Sequence, residues 1–398
     1  MPNDYFAHGI ASGDPRPTSV VLWTRVTPTP ASKPGSGAGP KATVRWEVST
    51  NPRFTNVVRS GQFSTSPSRD HTVKVDVTGL QPARGYYYRF SFGSHRSDTG
   101  RTRTAPGATS SPANLRFGVV SCANLQAGWF SAYRHMEKRD DLHAVLFLGD
   151  YIYEYGPGEY GYGQSDVDIR KHEPPHEILN LADYRQRHAQ YKRDADVQRL
   201  HAKYAFIATW DDHESADDAW KGGATNHNAG EGAWSARRAA SHKAYDEWMP
   251  VRMSGTAALG DGDTLYRRLA FGDLVEISML DLRSYREQQL SAQVDPAESD
   301  PDRTITGRAQ MDFLKTSLTR QVAQWKLVGN PVMIAPVTFA GIPRDLIKPV
   351  NDMNKSANGF IKTRRAAFRH LVGKPTEKKE RRNGNAQTDR QLQAECEF

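Results

Sequence analysis

The spacing of apolar residues changes near residue 115, and this change constrains the fold more than any other feature of the sequence. Before it, short segments rich in Val, Thr and aromatic residues are separated by Pro, Gly and Ser clusters, with no helical period between them. This pattern predicts an all-β sandwich over residues 1–104. Residues 105–114 are small and polar and include proline, so we expect them to form a linker. The predicted strands include SVVLWTRV, ATVRWEVST, HTVKVDV and GYYYRFSF.

Between residues 115 and 355, apolar segments alternate with longer polar or amphipathic segments. Such alternation predicts a layered α/β domain, and the nearly continuous apolar character of the strands is typical of strands buried on both faces. The strand candidates are RFGVVSC, AVLFLGD, AFIATWDDH, LVEISMLDLR and WKLVGNPVMIA. The helix candidates are GWFSAYRHMEKR, LADYRQRHAQYKRDADVQRLHAKY, GAWSARRAASHKAYDEWM and TGRAQMDFLKTSLTRQVAQW.

The positive charge of the chain is concentrated at its end. The formal net charge is +8, and residues 359–398 contribute +5 of it through ten Lys or Arg against five Asp or Glu. We therefore interpret residues 356–398 as a basic, polar tail that does not pack. Because this tail lacks interleaved aromatic residues and any known recognition module, we expect no nucleic-acid partner.

The two cysteines, Cys122 and Cys396, are too few for a disulfide framework. No segment approaches the ~20 consecutive apolar residues that a membrane-spanning helix needs. The first residues, MPNDYFAHGI, do not have the pattern of a signal peptide. The protein is then either cytoplasmic or a mature form whose leader has been removed.

Three predicted strands end in side chains that bind metals. The first ends at Cys122 and the second at Asp150, with Tyr153 three residues later. The third ends at Asp211, Asp212, His213 and Glu214. Ligands bind beyond the carboxyl ends of the strands in open α/β sheets, so neighbouring strands would bring these groups together. A thiolate and a phenolate favour a trivalent metal, whereas carboxylates alone favour calcium or magnesium.

Each of these motifs has a simpler interpretation. Asp150 follows Gly149 and could be a turn residue or a helix cap. Cys122 could be a small core residue, and a nucleophilic role lacks a nearby general base. The acidic run after the third strand, which continues to Asp217 and Asp218, could be an exposed loop. A cation site is favoured because adjacent carboxylates repel each other unless a cation neutralises them.

The segment 154–178 is too long for an ordinary connection and follows a candidate site directly, so it could be a lid or a binding loop. His172 and His176 could reach the site from this loop. The tyrosines near the site could either line a pocket or pack the loop; they are Tyr151, Tyr155, Tyr160 and Tyr162.

Four segments in order resemble signatures of the alkaline phosphatase D family, and the resemblance covers about residues 6–345. They are HGIASGDPRPTSVVLWTRVTP, FGVVSCANLQAGWFSAYRHM, VLFLGDYIYEYG and TWDDHESADDAW. The resemblance implies a metallophosphoesterase-like double-layer β-sheet sandwich flanked by helices. It also implies the N-terminal β-domain inferred above. The segment TGLQPARGYYYRF in that domain resembles the fibronectin III pattern, so we expect a fibronectin III-like sandwich.

The resemblance further implies a ferric iron with calcium ions. Carried over to this sequence, the iron ligands are Cys122, Asp150 and Tyr153, and Asp150 bridges to a second metal. Asp211 and Asp212 become calcium ligands. The implied catalytic residues are Asp212 and His213, and the implied substrate-binding residues are His213, Asn124 and Tyr151.

The implied activity is hydrolysis of phosphomonoesters or phosphodiesters by a metal-activated water. A phospholipase D-type activity on phospholipid head groups is an alternative within the family. The resemblance also implies a monomer that is secreted or periplasmic.

The sequence departs from the family after about residue 355, where a Gly-Asp-Val-His type motif is expected and absent. His370 is the single histidine there and lacks the expected neighbours. We therefore expect an incomplete catalytic domain over residues 115–355. A second hypothesis follows, in which the chain is a non-catalytic remnant that only binds metal or a partner.

Overall fold

The computed structural model of the protein describes residues 4–160, 169–258, 264–290 and 300–332. Tyr162, His370, Cys396, the end of the predicted catalytic domain after Val332 and the predicted basic tail lie outside these residues. The β-strands are β1 (Ile10–Arg16), β2 (Ser19–Arg25), β3 (Ala42–Ser49), β4 (Val57–Thr65), β5 (Thr72–Thr78), β6 (Gly85–Phe92), β7 (His95–Arg96), β8 (Gly100–Arg103), β9 (Phe117–Val120), β10 (Ala144–Leu148), β11 (Ala205–Thr209), β12 (Arg267–Phe271), β13 (Val275–Met279) and β14 (Trp325–Gly329). The α-helices are α1 (Ser131–Glu137), α2 (Leu181–Lys192), α3 (Ala195–Lys203), α4 (Trp234–Trp248) and α5 (Arg308–Thr319).

The N-terminal region folds as two packed β-layers, which confirms the predicted β-domain. One layer contains β5, β2 and β1, and the other contains β4, β3, β6 and β7, with β8 also paired to β6. Alternate residues of facing strands fill the space between the layers, as expected for strands with one face toward a core. The buried residues there include Val20, Leu22, Val44, Val48, Val73, Val77, Tyr88 and Phe90.

A continuous sheet joins the N-terminal region to the following α/β region. Strand β1 pairs in parallel with β11, with Ser12 opposite Ala205, and the sheet runs in the order β5-β2-β1-β11-β10-β9. Strands β9, β10 and β11 are parallel to one another. The segment between β8 and β9, which contains the predicted linker, forms neither helix nor strand. The domain boundaries themselves stay a prediction.

Side-chain contacts support this connection on the helical face of the sheet. The indole nitrogen of Trp23 donates to the backbone oxygen of Glu247, 2.8 Å away. The ammonium of Lys74 lies 2.5 Å from Asp246 Oδ1, and both side chains are buried. Strands of the N-terminal layer are therefore attached directly to α4.

The α/β region has two sheets with helices outside them. Val145 and Phe147 of β10 face the core beneath α2, α3 and α4, while Leu146 faces the second sheet, ordered β12-β13-β14. Leu314 of α5 belongs to a further cluster beside that second sheet. This arrangement confirms the double-layer sheet sandwich flanked by helices.

The structure corrects one predicted helix. Residues 181–204 form two helices rather than one, because Asp194 begins a new helix: its Oδ1 accepts from the backbone nitrogens of Asp196 and Val197, at 2.8 and 3.0 Å. A side chain that binds the first free N–H groups of a helix favours a start at that residue. In the part of the chain that the structure describes, we find no helix long and apolar enough to cross a membrane.

Candidate metal centre

The parallel strands β9 and β10 end in the same unusual backbone turn. Cys122 has φ of 57° and Asp150 has φ of 60°, which is the left-handed region that non-glycine residues rarely adopt. The backbone nitrogen of Cys122 donates to the Gly149 oxygen at 3.1 Å, and that of Ala123 donates to the Asp150 oxygen at 2.8 Å. Strained backbone of this kind clusters at functional sites.

Gly149 allows these two strand ends to approach β11. Its φ is 91°, and a Cβ atom at this position would lie 2.5 Å from Asp211 Cβ and 2.7 Å from the Asp211 nitrogen. A side chain would therefore push Asp150 and Asp211 apart. The Gly-Asp sequence after β10 is required by this close approach.

Cys122, Asp150 and Tyr153 converge on one point, as predicted. The thiol of Cys122 and the hydroxyl of Tyr153 each lie 3.4 Å from Asp150 Oδ2. Asp150 Oδ1 is buried and has no hydrogen-bond partner among the described residues. Buried polar atoms are nearly always paired, so a partnerless carboxylate oxygen beside a thiol and a phenol fits a metal ion.

The raised pKa values of these three groups also fit a site for a cation. Burial raises the pKa of Asp150 to about 6, and burial together with Asp150 raises the pKa of Cys122 to about 11. Burial likewise raises the pKa of Tyr153 well above its ordinary value. A bound cation reverses this tendency because it favours the deprotonated thiol and phenol.

The two adjacent aspartates after β11 have different main neighbours. Asp211 turns both carboxylate oxygens to Arg283, with Oδ1 2.6 Å from Nε and Oδ2 3.3 Å from Nη2. Asp212 instead lies in a group with Asp150 and His213, whose ligand atoms are all within 4.8 Å of one another. Asp212 forms a second such group with Asp217 and Asp218. The structure thus brings Asp212 to the centre and leaves Asp211 paired with Arg283.

Positive neighbours determine the charge of Asp212. Burial acts to raise the pKa of its carboxyl, but Arg283 and His213 hold that pKa below the ordinary value. Arg283 Nη2 lies 3.3 Å from Asp212 Oδ2, and the same oxygen accepts from the backbone nitrogen of Asp218 at 2.7 Å. Asp212 is therefore an ionised carboxylate with one oxygen held by the protein.

His213 is fixed in its orientation by a buried glutamate. Its Nδ1 donates to Glu154 Oε2 at 2.8 Å, and its ring stacks on Tyr153 with centroids 4.2 Å apart. The second oxygen of Glu154 accepts from the Asp217 nitrogen at 2.7 Å and from Asn226 Nδ2 at 2.9 Å. Burial acts to lower the pKa of His213, but Glu154 raises it to about 10. A carboxylate on one ring nitrogen fixes the tautomer and leaves Nε2 directed to other groups.

Glu214 connects the ends of β10 and β11. Its Oε2 accepts from the backbone nitrogens of Asp150 and Asp211, at 3.1 and 2.8 Å, and its Oε1 accepts from that of Tyr151 at 2.7 Å. All three donors are buried. This side chain therefore sets the distance between the two strand ends.

The predicted substrate-binding residues Asn124 and Tyr151 lie in different surroundings from each other. Asn124 lies two residues from Cys122, where its Oδ1 accepts from the Gln126 nitrogen at 2.9 Å. Tyr151 points away from the centre: it is buried in the core beneath the helices, and its hydroxyl lies 2.9 Å from His201 Nε2. The structure does not bring Tyr151 to the site, because the side chain after Asp150 lies on the opposite face of the sheet end.

The two loop histidines, His172 and His176, have their contacts outside the group formed by Cys122, Asp150 and Tyr153. His172 is buried, with Nδ1 2.8 Å from the Tyr155 oxygen and Nε2 3.0 Å from the Tyr191 hydroxyl. His176 lies 3.8 Å from Asp183. Tyr160, by contrast, is exposed and lies near His213, with ring centroids 5.4 Å apart.

The sequence interpretation missed Arg283 and the roles of Glu154 and Glu214. Arg283 was detectable in principle, because LVEISMLDLR also ends in charged residues after an apolar strand. Glu154 follows Tyr153 directly and Glu214 follows His213 directly, so both were visible as part of their motifs. Their partners depend on the tertiary fold.

Comparison with known proteins agrees with this geometry. The family model described as PhoD-like phosphatase matches residues 117–380, and the model of the PhoD-like phosphatase N-terminal domain matches residues 1–106. This chain belongs to the PhoD-like phosphatase family. Alkaline phosphatase D of Bacillus subtilis (strain 168) is 38% identical over 339 residues, which cover 84% of this chain and 57% of that protein. The chain thus spans a little over half the length of this PhoD-like relative.

A solved structure of PhoD superposes on this chain with a TM-score of 0.79 at 35% sequence identity. The match covers 91% of this chain and 70% of the other. The metallophosphoesterase-like arrangement of the PhoD-like family is therefore present here.

Proposed function

We propose that this chain hydrolyses phosphate esters with the help of bound metal ions. The observation that carries the proposal is the convergence of the Cys122 thiol and the Tyr153 hydroxyl on Asp150, whose Oδ1 has no partner among the described residues. Membership of the PhoD-like phosphatase family supports the same activity.

Cys122, Asp150 and Tyr153 would hold a ferric ion, and Asp150 together with Asp212 would hold calcium. A thiolate and a phenolate suit a trivalent ion, and carboxylates suit calcium. When bound, such metals supply an activated water and neutralise charge on the phosphoryl oxygens.

The chain itself positions the proton for the leaving group. Because Glu154 holds Nδ1 of His213, Nε2 is the ring nitrogen that can donate a proton to the leaving oxygen. Asp212 stays ionised beside this imidazole and favours its protonated form. Asn124, two residues after Cys122, is the remaining candidate for a direct contact with the substrate.

A substrate panel tests the proposal. The full chain, supplied with iron and calcium, is assayed with p-nitrophenyl phosphate, bis(p-nitrophenyl) phosphate and phosphatidylcholine vesicles. We expect turnover of at least one of the first two. Turnover of the vesicles alone would indicate a phospholipase D-type activity, and a folded, metal-loaded protein that cleaves none of them would support the non-catalytic remnant. We propose in addition that the protein acts outside the cytoplasm as a monomer, which fractionation and size-exclusion chromatography test.

A further inference from the structure

Arg283 is held rigidly inside the acidic group that follows β11. Its guanidinium contacts Asp211 through Nε and Nη2, and its Nη1 lies 3.5 Å from Asp218 Oδ1. The backbone nitrogen of Arg283 donates to Asp281 Oδ1 at 3.1 Å, and Asp281 is in turn bonded to Gln310 of α5. The cation is therefore supported by the second sheet and its helix.

The two adjacent aspartates differ in what they offer to a metal. Asp211 presents both oxygens to the planar guanidinium fork, and this geometry is the strongest that an arginine and a carboxylate form. A metal bound to either oxygen would lie beside the guanidinium, whose positive charge opposes its binding. Asp212 also contacts Arg283, with Oδ2 3.3 Å from Nη2, but it lies within the group that contains Asp150 and His213.

We propose that Asp211 is not a metal ligand, and that Asp211 and Arg283 act as a positioning pair that holds Asp212 toward Asp150 and His213. This inference rests on the proposed function only in taking Asp212 as a calcium ligand. It differs from the expectation from sequence that both aspartates bind calcium.

Calcium titration of the full chain by calorimetry separates the two aspartates. Asp212→Asn should weaken calcium binding at least ~100-fold, since it removes a ligand, whereas Asp211→Asn should weaken it only about 10-fold, the usual cost of losing a residue that positions a ligand. Asp14→Asn is a matched control, because Asp14 also holds an arginine through both oxygens, at 2.6 and 2.8 Å from Arg267. The proposal is overturned if Asp211→Asn loses calcium as completely as Asp212→Asn does.

Variants of Arg283 test the positioning role. Arg283→Met should lower kcat about 10- to 100-fold, and Arg283→Lys, which keeps the charge but not the fork, should recover part of that loss. Arg283→Met should also lower Tm in the metal-free chain by about 5 °C or more, because it leaves buried carboxylates without a counter-ion. Adding Asp211→Asn to Arg283→Met should restore part of that Tm, whereas strict additivity of the two changes would contradict the pair.

The two proposals fail in different ways. A chain that hydrolyses phosphate esters but loses calcium on Asp211→Asn keeps the proposed function and rejects the positioning pair. A chain that hydrolyses nothing but shows the expected calcium pattern rejects the proposed function and keeps the pair. Failure of the unmodified chain to bind calcium would overturn the pair as well.

Discussion

The ends of β10 and β11 both present buried carboxylates, but they are neutralised in different ways. After β10, Asp150 has one oxygen without a hydrogen-bond partner in the described part of the chain, and its neighbours Cys122 and Tyr153 keep their protons. After β11, Arg283 and His213 provide positive charge from the protein itself. An acidic run in a sequence therefore does not by itself identify metal ligands. Under the proposed function, the first end depends on a metal for its neutralising charge, whereas the second also has positive charge from the protein itself.

The largest expected effect comes from Asp150→Asn, which removes the carboxylate that we propose as a ligand common to both metals. Hydrolysis should fall about a thousandfold or more, because several kcal/mol of charge stabilisation depend on the metals. In the metal-free chain at pH 8 the same change should stabilise the fold by about 1–3 kcal/mol, since the raised pKa makes the ionised form costly in the folded state.

Activity and chemical denaturation, with and without metal, measure the two effects of Asp150→Asn. Asp76→Asn, which alters an aspartate paired with Arg252, serves as control for a general loss of folding. Retained metal content and activity in Asp150→Asn would show that the centre lies elsewhere.

Tyr153→Phe sharpens the assignment of the β10 end. We expect about a 10-fold loss of turnover and the disappearance of the visible absorption band that a tyrosinate bound to ferric iron produces. Absorption spectra of the iron-loaded chain and its variant measure this. A coloured Tyr153→Phe protein would remove Tyr153 from the iron ligands.

The pH dependence of stability tests the self-neutralised β11 end. The folded pKa of His213, about 10, exceeds its ordinary value of 6.5, so its contribution is complete below pH 6.5 and is lost as pH rises through about 10. The metal-free chain should lose about 2–4 kcal/mol over this range, and Glu154→Gln should reduce that loss. Denaturation between pH 6.5 and 10 measures it, and identical profiles for both proteins would contradict the role of Glu154.

The smallest effect should come from Tyr151→Phe. Because the hydroxyl bonds to His201 in the core, the change should cost about 1 kcal/mol of stability and leave kcat/KM within about twofold. Parallel measurement of Tm and kcat/KM decides between a core residue and a substrate contact. A tenfold rise in KM without loss of stability would indicate that Tyr151 contacts the substrate.

The features that could be predicted from the sequence are those set by a single strand and the residues directly after it. The apolar period located β10 and β11, and the Gly-Asp and Asp-Asp-His motifs located the groups that follow them. Convergence of Cys122 with Asp150 was also accessible, because parallel neighbours end at the same edge.

What could not be predicted depends on contacts between distant segments. The partner of Asp211 comes from the end of β13, more than seventy residues later, and no local pattern distinguishes Asp211 from Asp212. The same holds for Tyr151, whose direction follows from the left-handed turn at Asp150 rather than from sequence alternation. The break between α2 and α3 was visible locally as an aspartate before an acidic first turn.

The parallel pairing of β1 with β11 has a consequence for how such proteins can change. Two separate family models match the two regions, yet one sheet contains strands of both. Strand β11, which precedes Asp211 and Asp212, is paired along one edge with β1. Deleting the first hundred residues would expose that edge of β11 and the surface of α4 that Trp23 contacts. Recombination between relatives should therefore succeed only when both regions come from the same parent.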